Sequence, residues 1–168
     1  MTPPQAFAQV GARAIWGSMV LLCAAALAAA LVTQHVFEMQ PCPWCVLQRL
    51  EFVLIGLVAL LGAVWTVASL QRIFTLLAGA LGAAGIATAL WHYFVAASSA
   101  SCDLTLADRI MSATGLDMAL PEVFAAFASC ADAKTNLLGI PYAFWSLGLF
   151  AVLVVMACGL WIRTRRTA

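Results

Sequence analysis

The chain has 168 residues, of which 65% are hydrophobic and 9% charged, where a soluble domain carries about 25% charged residues. No soluble core absorbs that much apolar surface, so a globular soluble domain is excluded and an integral membrane protein with about four spanning helices is left. The formal net charge of +1 identifies no partner, and no nucleic-acid partner is expected.

In chain order, residues 1–13 are short and Pro-containing and carry one cation, Arg13. Ile15 to Thr33 has no charge and is long enough to cross a hydrocarbon core of about 30 Å; it is the first expected span, about 15–33. Arg13 followed by the Ala-rich stretch Ala24 to Ala30 also imitates a secretory signal. The run exceeds the usual apolar region of about 7–15 residues in such signals, which favours a retained span. Residues 34–49 form a first loop. A second span is expected at about 50–70, a short polar turn at Ser69, Gln71 and Arg72, and a third span at about 73–95 that ends in Trp91-His92-Tyr93. Residues 96–140 form the one long polar loop, and a fourth span at about 142–162 precedes Arg163, Arg165 and Arg166. A helix satisfies its own backbone inside lipid, so these runs predict an all-α fold, a four-helix transmembrane bundle.

Four spans return both termini to one side. That side holds Arg13, Arg72, Arg163, Arg165 and Arg166, and the other holds Arg49, Arg109 and Lys134. The bias of cations toward the cytoplasm makes both termini cytoplasmic. All seven acids fall on the opposite side, which is then the outer side of the membrane. In the long loop, Pro121-Glu122 followed by Val123, Phe124 and Phe127 predicts a short helix lying on the membrane surface.

Of six cysteines, Cys23 and Cys158 lie within spans and read as packing residues. The other four face outward: Cys42 and Cys45 in the first loop, Cys102 and Cys130 in the second. An oxidising compartment turns such thiols into disulfides unless they are used otherwise, and four cysteines allow three pairings. Structural bridges, a four-cysteine zinc site and a redox relay all compete. The C-x-x-C ring constrains little, and no second C-x2-C completes a zinc half-site pair. A C-x-x-C at a helix mouth has its thiolate stabilised by free N–H groups, and Arg49 stands one turn beyond Cys45 on the same face. Arg49 also suits an interfacial anchor. His92 suits an aromatic belt or a hydrogen bond to a cofactor. His35 reads as a boundary residue, and Gln48 as one that orders the start of the second span.

The segments Gln34-His35-Val36, Pro41-Cys42-x-x-Cys45-x-x-Gln48-Arg49, His92, Cys102-Asp103, Cys130-Ala131 and Leu138-Gly139-Ile140-Pro141 resemble the disulfide bond formation protein B family, bacterial inner-membrane quinone-dependent thiol oxidases. The resemblance implies catalytic Cys42, Cys45, Cys102 and Cys130, with Cys45, Arg49 and His92 at a quinone, either ubiquinone or menaquinone, and no metal. It implies a soluble thioredoxin-fold partner of the DsbA type that attacks a Cys102–Cys130 disulfide at Cys102. Cys130 then passes electrons to Cys42–Cys45 through a transient Cys42–Cys130 bond, with the long loop as mobile carrier. A partner of that type sits at about −120 mV, so only a higher-potential acceptor such as a quinone reoxidises it. Two alternatives remain at this stage: a reductase of the vitamin K epoxide reductase type, and a non-enzymatic metal-handling or assembly subunit.

Overall fold

In the computed structural model, which describes residues 3–98, 105–132 and 135–166, four long helices carry the fold. They are α1 (Pro3–Val36), α2 (Pro43–Val64), α3 (Ala68–Phe94) and α7 (Tyr142–Arg166). Each is long and apolar enough to cross a membrane. The helices pack in a ring, α1 on α2, α2 on α3, α3 on α7 and α7 back on α1. Leucines and valines such as Leu21, Leu57, Leu76 and Val155 stand exposed on the outer faces, where lipid would cover them.

The helix boundaries differ from the expected spans. The first helix starts at Pro3 rather than near residue 15: proline is tolerated in a first helical turn, and no breaker follows. The second starts at Pro43, with Cys42 as its N-cap, so most of the expected first loop is helical and the connection shrinks to residues 37–42. It also ends at Val64, and the turn falls on Trp65-Thr66-Val67 rather than on Ser69, Gln71 and Arg72. Gln71 sits inside α3, where its side-chain amide donates to the carbonyls of Gly62 and Trp65. Those are carbonyls that the end of α2 leaves without a helical partner. Its Oε1 accepts from the Trp16 indole N–H at 2.7 Å. A polar signal that suggests a turn in the sequence is therefore a side-chain cap reaching back from the next helix.

The middle of the bundle is dry. Trp16, Met19, Ile55, Ala59, Phe150, Leu153 and Leu160 are buried there, and Phe52 stacks on Phe150 with centroids 4.1 Å apart. Gly85 lets α3 approach α7 this closely, because a Cβ there would collide with the Phe150 ring. Both chain ends leave at the same end of the bundle, where the Arg163 side chain passes Gly11.

The second loop folds over the other end. It contributes α4 (Leu106–Thr114), α5 (Leu116–Ala119), α6 (Pro121–Phe124) and a minimal hairpin, β1 (Asn136–Leu137) with β2 (Ile140–Pro141). The helix expected around Pro121 is present as a single turn, and the longer α4 was not anticipated. Its start is a capping box, with the Thr105 hydroxyl and Asp108 backbone N–H paired and the Asp108 carboxylate accepting from the Thr105 N–H. Its end is Gly115 at φ 67°. The hairpin turn places Leu138 and Gly139 at φ 55° and 81°, the double positive φ that matches the twist of paired strands. Over residues 105–132 the loop read as a mobile carrier is thus folded, and Ala107, Met111 and Phe124 are buried against Trp44, Val46, Leu47 and Leu50 of α2.

Candidate active site

Cys42 ends the connection in an extended conformation (φ −90°, ψ 169°), and Pro43 opens α2. This start places Cys45 in the first helical turn, with its N–H donating to the Cys42 sulfur at 3.4 Å. The two sulfurs are 2.9 Å apart and unbonded. Cys42 is fully buried and Cys45 half-buried.

The loop delivers Cys130 to the same point. The backbone N–H groups of Phe127 and Ala128 both donate to the Pro41 carbonyl, at 2.9 and 3.2 Å. Two side chains hold the preceding turn: the Gln34 amide donates to the Glu122 carbonyl at 3.2 Å, and Arg49 Nη1 donates to the Val123 carbonyl at 2.9 Å. The chain therefore crosses directly above Cys42, and the reactive atoms of Cys42, Cys130 and His92 lie within 4.8 Å of one another. Cys130 is a free, buried thiol here. Cys102, its implied partner, lies outside the described residues.

This contact sorts the two thiols. Cys42 is pushed well above the ordinary thiol range, first because it donates to the Cys130 sulfur, then because of Cys45 and burial. Cys130 is shifted down: the Cys42 thiol donates to its sulfur, and the Trp44 N–H adds to this, against burial. The loop cysteine is therefore the more acidic thiol of the pair.

Arg49 is buried, with 5% of its surface exposed, and does not snorkel. Its Nη1 also donates to Gln34 Oε1 at 2.6 Å, and Nη2 to the Ala30 carbonyl at 3.3 Å. These acceptors are neutral, and among the described residues no carboxylate pairs with the guanidinium. The charge is fixed in place but not cancelled. His92 is buried too, with Nε2 3.4 Å from the Cys42 sulfur, so it is not a belt residue. Its neighbour Trp91 faces outward and packs on Trp44 with centroids 6.3 Å apart. His35 stays at the boundary, 3.9 Å from Glu122. Cys23 packs in the core, as expected, whereas Cys158 is exposed on α7.

Cys45, Gln48, Arg49 and His92 line one cleft among α1, α2, α3 and α7. Ala26, Ala29, Ala30, Phe52 and Leu149 make its lower walls apolar. Three buried nitrogens at this cleft have no hydrogen-bond partner: Gln48 Nε2, Arg49 Nε and His92 Nδ1. An apolar slot with a few convergent, unsatisfied nitrogens suits a flat apolar molecule that carries oxygen acceptors. The donor set of Cys42, Cys130 and His92 could also hold a soft ion such as Zn2+.

A model of the DsbB family, described as disulfide bond formation protein DsbB, matches residues 12–160. The chain belongs to the DsbB family. It is 31% identical to disulfide bond formation protein B of Dechloromonas aromatica, over 94% of this chain and 97% of that one. It is 33% identical to the protein of the same name from Cupriavidus necator, over 90% and 94%, and 32% identical to that of Ralstonia nicotianae, over 94% and 99%. Membership identifies a multi-pass membrane protein of disulfide bond formation and sets aside the vitamin K epoxide reductase reading. For a DsbB-family chain, sequence reasoning undervalued Gln34 and Gln48. The only signal at Gln34 was its place in the family pattern. At Gln48 it was an amide on the same face of α2 as Cys45 and Arg49.

Proposed function

We propose that this DsbB-family protein is a thiol:quinone oxidoreductase, which oxidises a DsbA-type dithiol partner and delivers the electrons to a membrane quinone. The observation that carries the reading is the position of the Cys42 sulfur. It lies between Cys130, on the loop that a soluble partner can reach, and Cys45, on the cleft that opens among the spanning helices.

The residues divide the work. Cys102 receives the partner's thiolate, and the displaced Cys130 sulfur leaves readily as a thiolate. Cys130 attacks Cys42 of the Cys42–Cys45 disulfide, and Cys45 leaves as thiolate at the mouth of α2, where the helix N-terminus and Arg49 favour negative charge. Gln48, Arg49 and His92 would hold the quinone by its oxygens, with the alanines and Phe52 against its ring. When bound, the quinone accepts two electrons and two protons. Gln34 and Arg49 keep Val123 and the residues after it pinned, so Cys130 stays over Cys42. The site faces the periplasm, and both termini are cytoplasmic.

The test is quinone reduction by purified protein, with a reduced DsbA-type protein as electron donor. Ubiquinone or menaquinone should be reduced in step with partner oxidation, one quinone per disulfide formed. No turnover with either quinone overturns the reading.

A further inference from the structure

Glu51 is the one acid in the apolar part of the four spans, and the redox steps above do not use it. It lies nine residues beyond Cys42, about 13 Å along α2 at 1.5 Å per residue, and is 7% exposed. An ionisable group at this depth is costly and marks a candidate functional position. Among the described residues no cation pairs with it. Its partner is a hydroxyl: Thr88 Oγ1 of α3 lies 2.8 Å from Glu51 Oε2 and 3.0 Å from the Gly85 carbonyl. A hydroxyl has a single proton and cannot serve both acceptors at once. The arrangement closes when Glu51 is protonated: the carboxyl donates to Thr88, and Thr88 donates to Gly85.

The next layer toward the cleft repeats the pairing. Gln48 stands three residues before Glu51 on α2, and His92 four residues after Thr88 on α3, so each lies one turn away on the same face. Both line the cleft, and Gln48 Nε2 and His92 Nδ1 are buried without a partner. The opposite ring nitrogen of His92, Nε2, is at the Cys42 sulfur. Polar groups thus form two pairs one helical turn apart, Cys42 with His92 and Glu51 with Thr88, in an otherwise apolar helix interface.

We propose that Glu51 is a proton store for the dithiol, exchanging a proton with Cys42 across the one helical turn that separates the Glu51–Thr88 pair from the Cys42–His92 pair. The inference rests on the thiol:quinone reading for where the electrons go. Oxidation of the Cys42–Cys45 dithiol forms one S–S bond and releases two electrons and two protons. The quinone takes up both electrons and two protons. Glu51 gives one proton to the cleft through His92 and recovers one from the Cys42 thiol across the same turn. It ends each cycle as it began, and no proton crosses the membrane.

The test uses difference infrared spectroscopy on quinone-free protein labelled with 13C-glutamate. The chain has three glutamates, Glu38, Glu51 and Glu122, and Glu122 is 80% exposed. Reducing the Cys42–Cys45 disulfide should shift a protonated-carboxyl band that Glu51→Gln removes. Glutamine keeps a hydrogen bond to Thr88 but cannot exchange a proton. E51Q should therefore slow quinone reduction about tenfold or more, with thiol exchange between partner and protein unchanged and the melting temperature preserved. Glu51→Asp should recover part of the rate. A labelled band that does not respond to reduction, or E51Q turnover equal to wild type, overturns the proposal. Should E51Q fail to fold, the band in wild-type protein still decides. Wild-type protein that reduces no quinone would instead defeat the thiol:quinone reading, a separately visible failure.

Discussion

The two buried clusters of this bundle are built on opposite principles. Around Phe52, Ile55, Phe150 and Leu153 the interior is apolar and closely stacked. Around Cys42, the same helices enclose sulfur, a guanidinium, an imidazole and a carboxyl, several with unsatisfied hydrogen-bonding atoms. Unsatisfied buried polar atoms are scarce in folded proteins, and here they concentrate at the loop end. The first region sets how firmly the helices hold together, and the second sets what they can do. Substitutions should separate the two.

The largest effect is expected at Cys42. Cys42→Ser should abolish turnover, because among the described residues no other sulfur lies between Cys130 and Cys45, while the melting temperature stays near that of wild type. Stopped-flow quinone reduction and a thermal melt check both halves. Arg49→Gln should lower quinone reduction by about 10²-fold, the usual loss for one preorganised donor at a charge-developing site. It should also release Val123 and raise hydrogen exchange at residues 122–128. Arg49→Lys keeps the charge but cannot hold Gln34, Val123 and Ala30 together, so it should restore rate more than loop protection. In the dry region, Phe150→Ala should cost about 3 kcal/mol of stability and leave the redox steps unchanged in the folded fraction.

The dry region was largely legible in the sequence. Long uncharged runs against a membrane-thickness requirement identify four helices without further information. Their ends were harder. Trp65-Thr66-Val67 is as apolar as its flanks, so nothing local marks the turn, and Gln71 only becomes a cap once α3 folds back on α2. At the loop end, α4 was legible in principle from Thr105, Asp108 and Gly115. The closeness of Cys42 and Cys45 at the mouth of a helix was legible from their spacing. What spacing could not give is the approach of Cys130 to Cys42, which depends on the Pro41 carbonyl accepting from Phe127 and Ala128. Nor could it give the Glu51–Thr88 contact, which joins residues far apart in the chain.

Smaller effects sharpen the comparison at the loop. With its proton equilibrium shifted down, Cys130 should remain ionised below the ordinary thiol value of about 8.5, while Cys42, shifted up, stays protonated. In fully reduced protein at neutral pH, alkylation should therefore favour Cys130 over Cys42. Its rate should fall only as pH drops through the lowered value, as read by mass spectrometry across a pH series. Thr105→Ala removes the α4 cap and should destabilise the loop layer by about 1 kcal/mol, seen as faster exchange in α4 with the four long helices unaffected.

The central claim is that Cys42 is the junction between the loop cysteines and the cleft. Its most direct test is disulfide mapping by peptide mass spectrometry in a Cys45→Ser variant given reduced partner protein and a mild oxidant. With Cys45 removed, Cys42 has no disulfide partner on α2; the oxidant takes the two electrons of the Cys42 and Cys130 thiols, and a Cys42–Cys130 bond should accumulate as the main species. A variant that holds only Cys102–Cys130, with Cys42 free, would contradict the account.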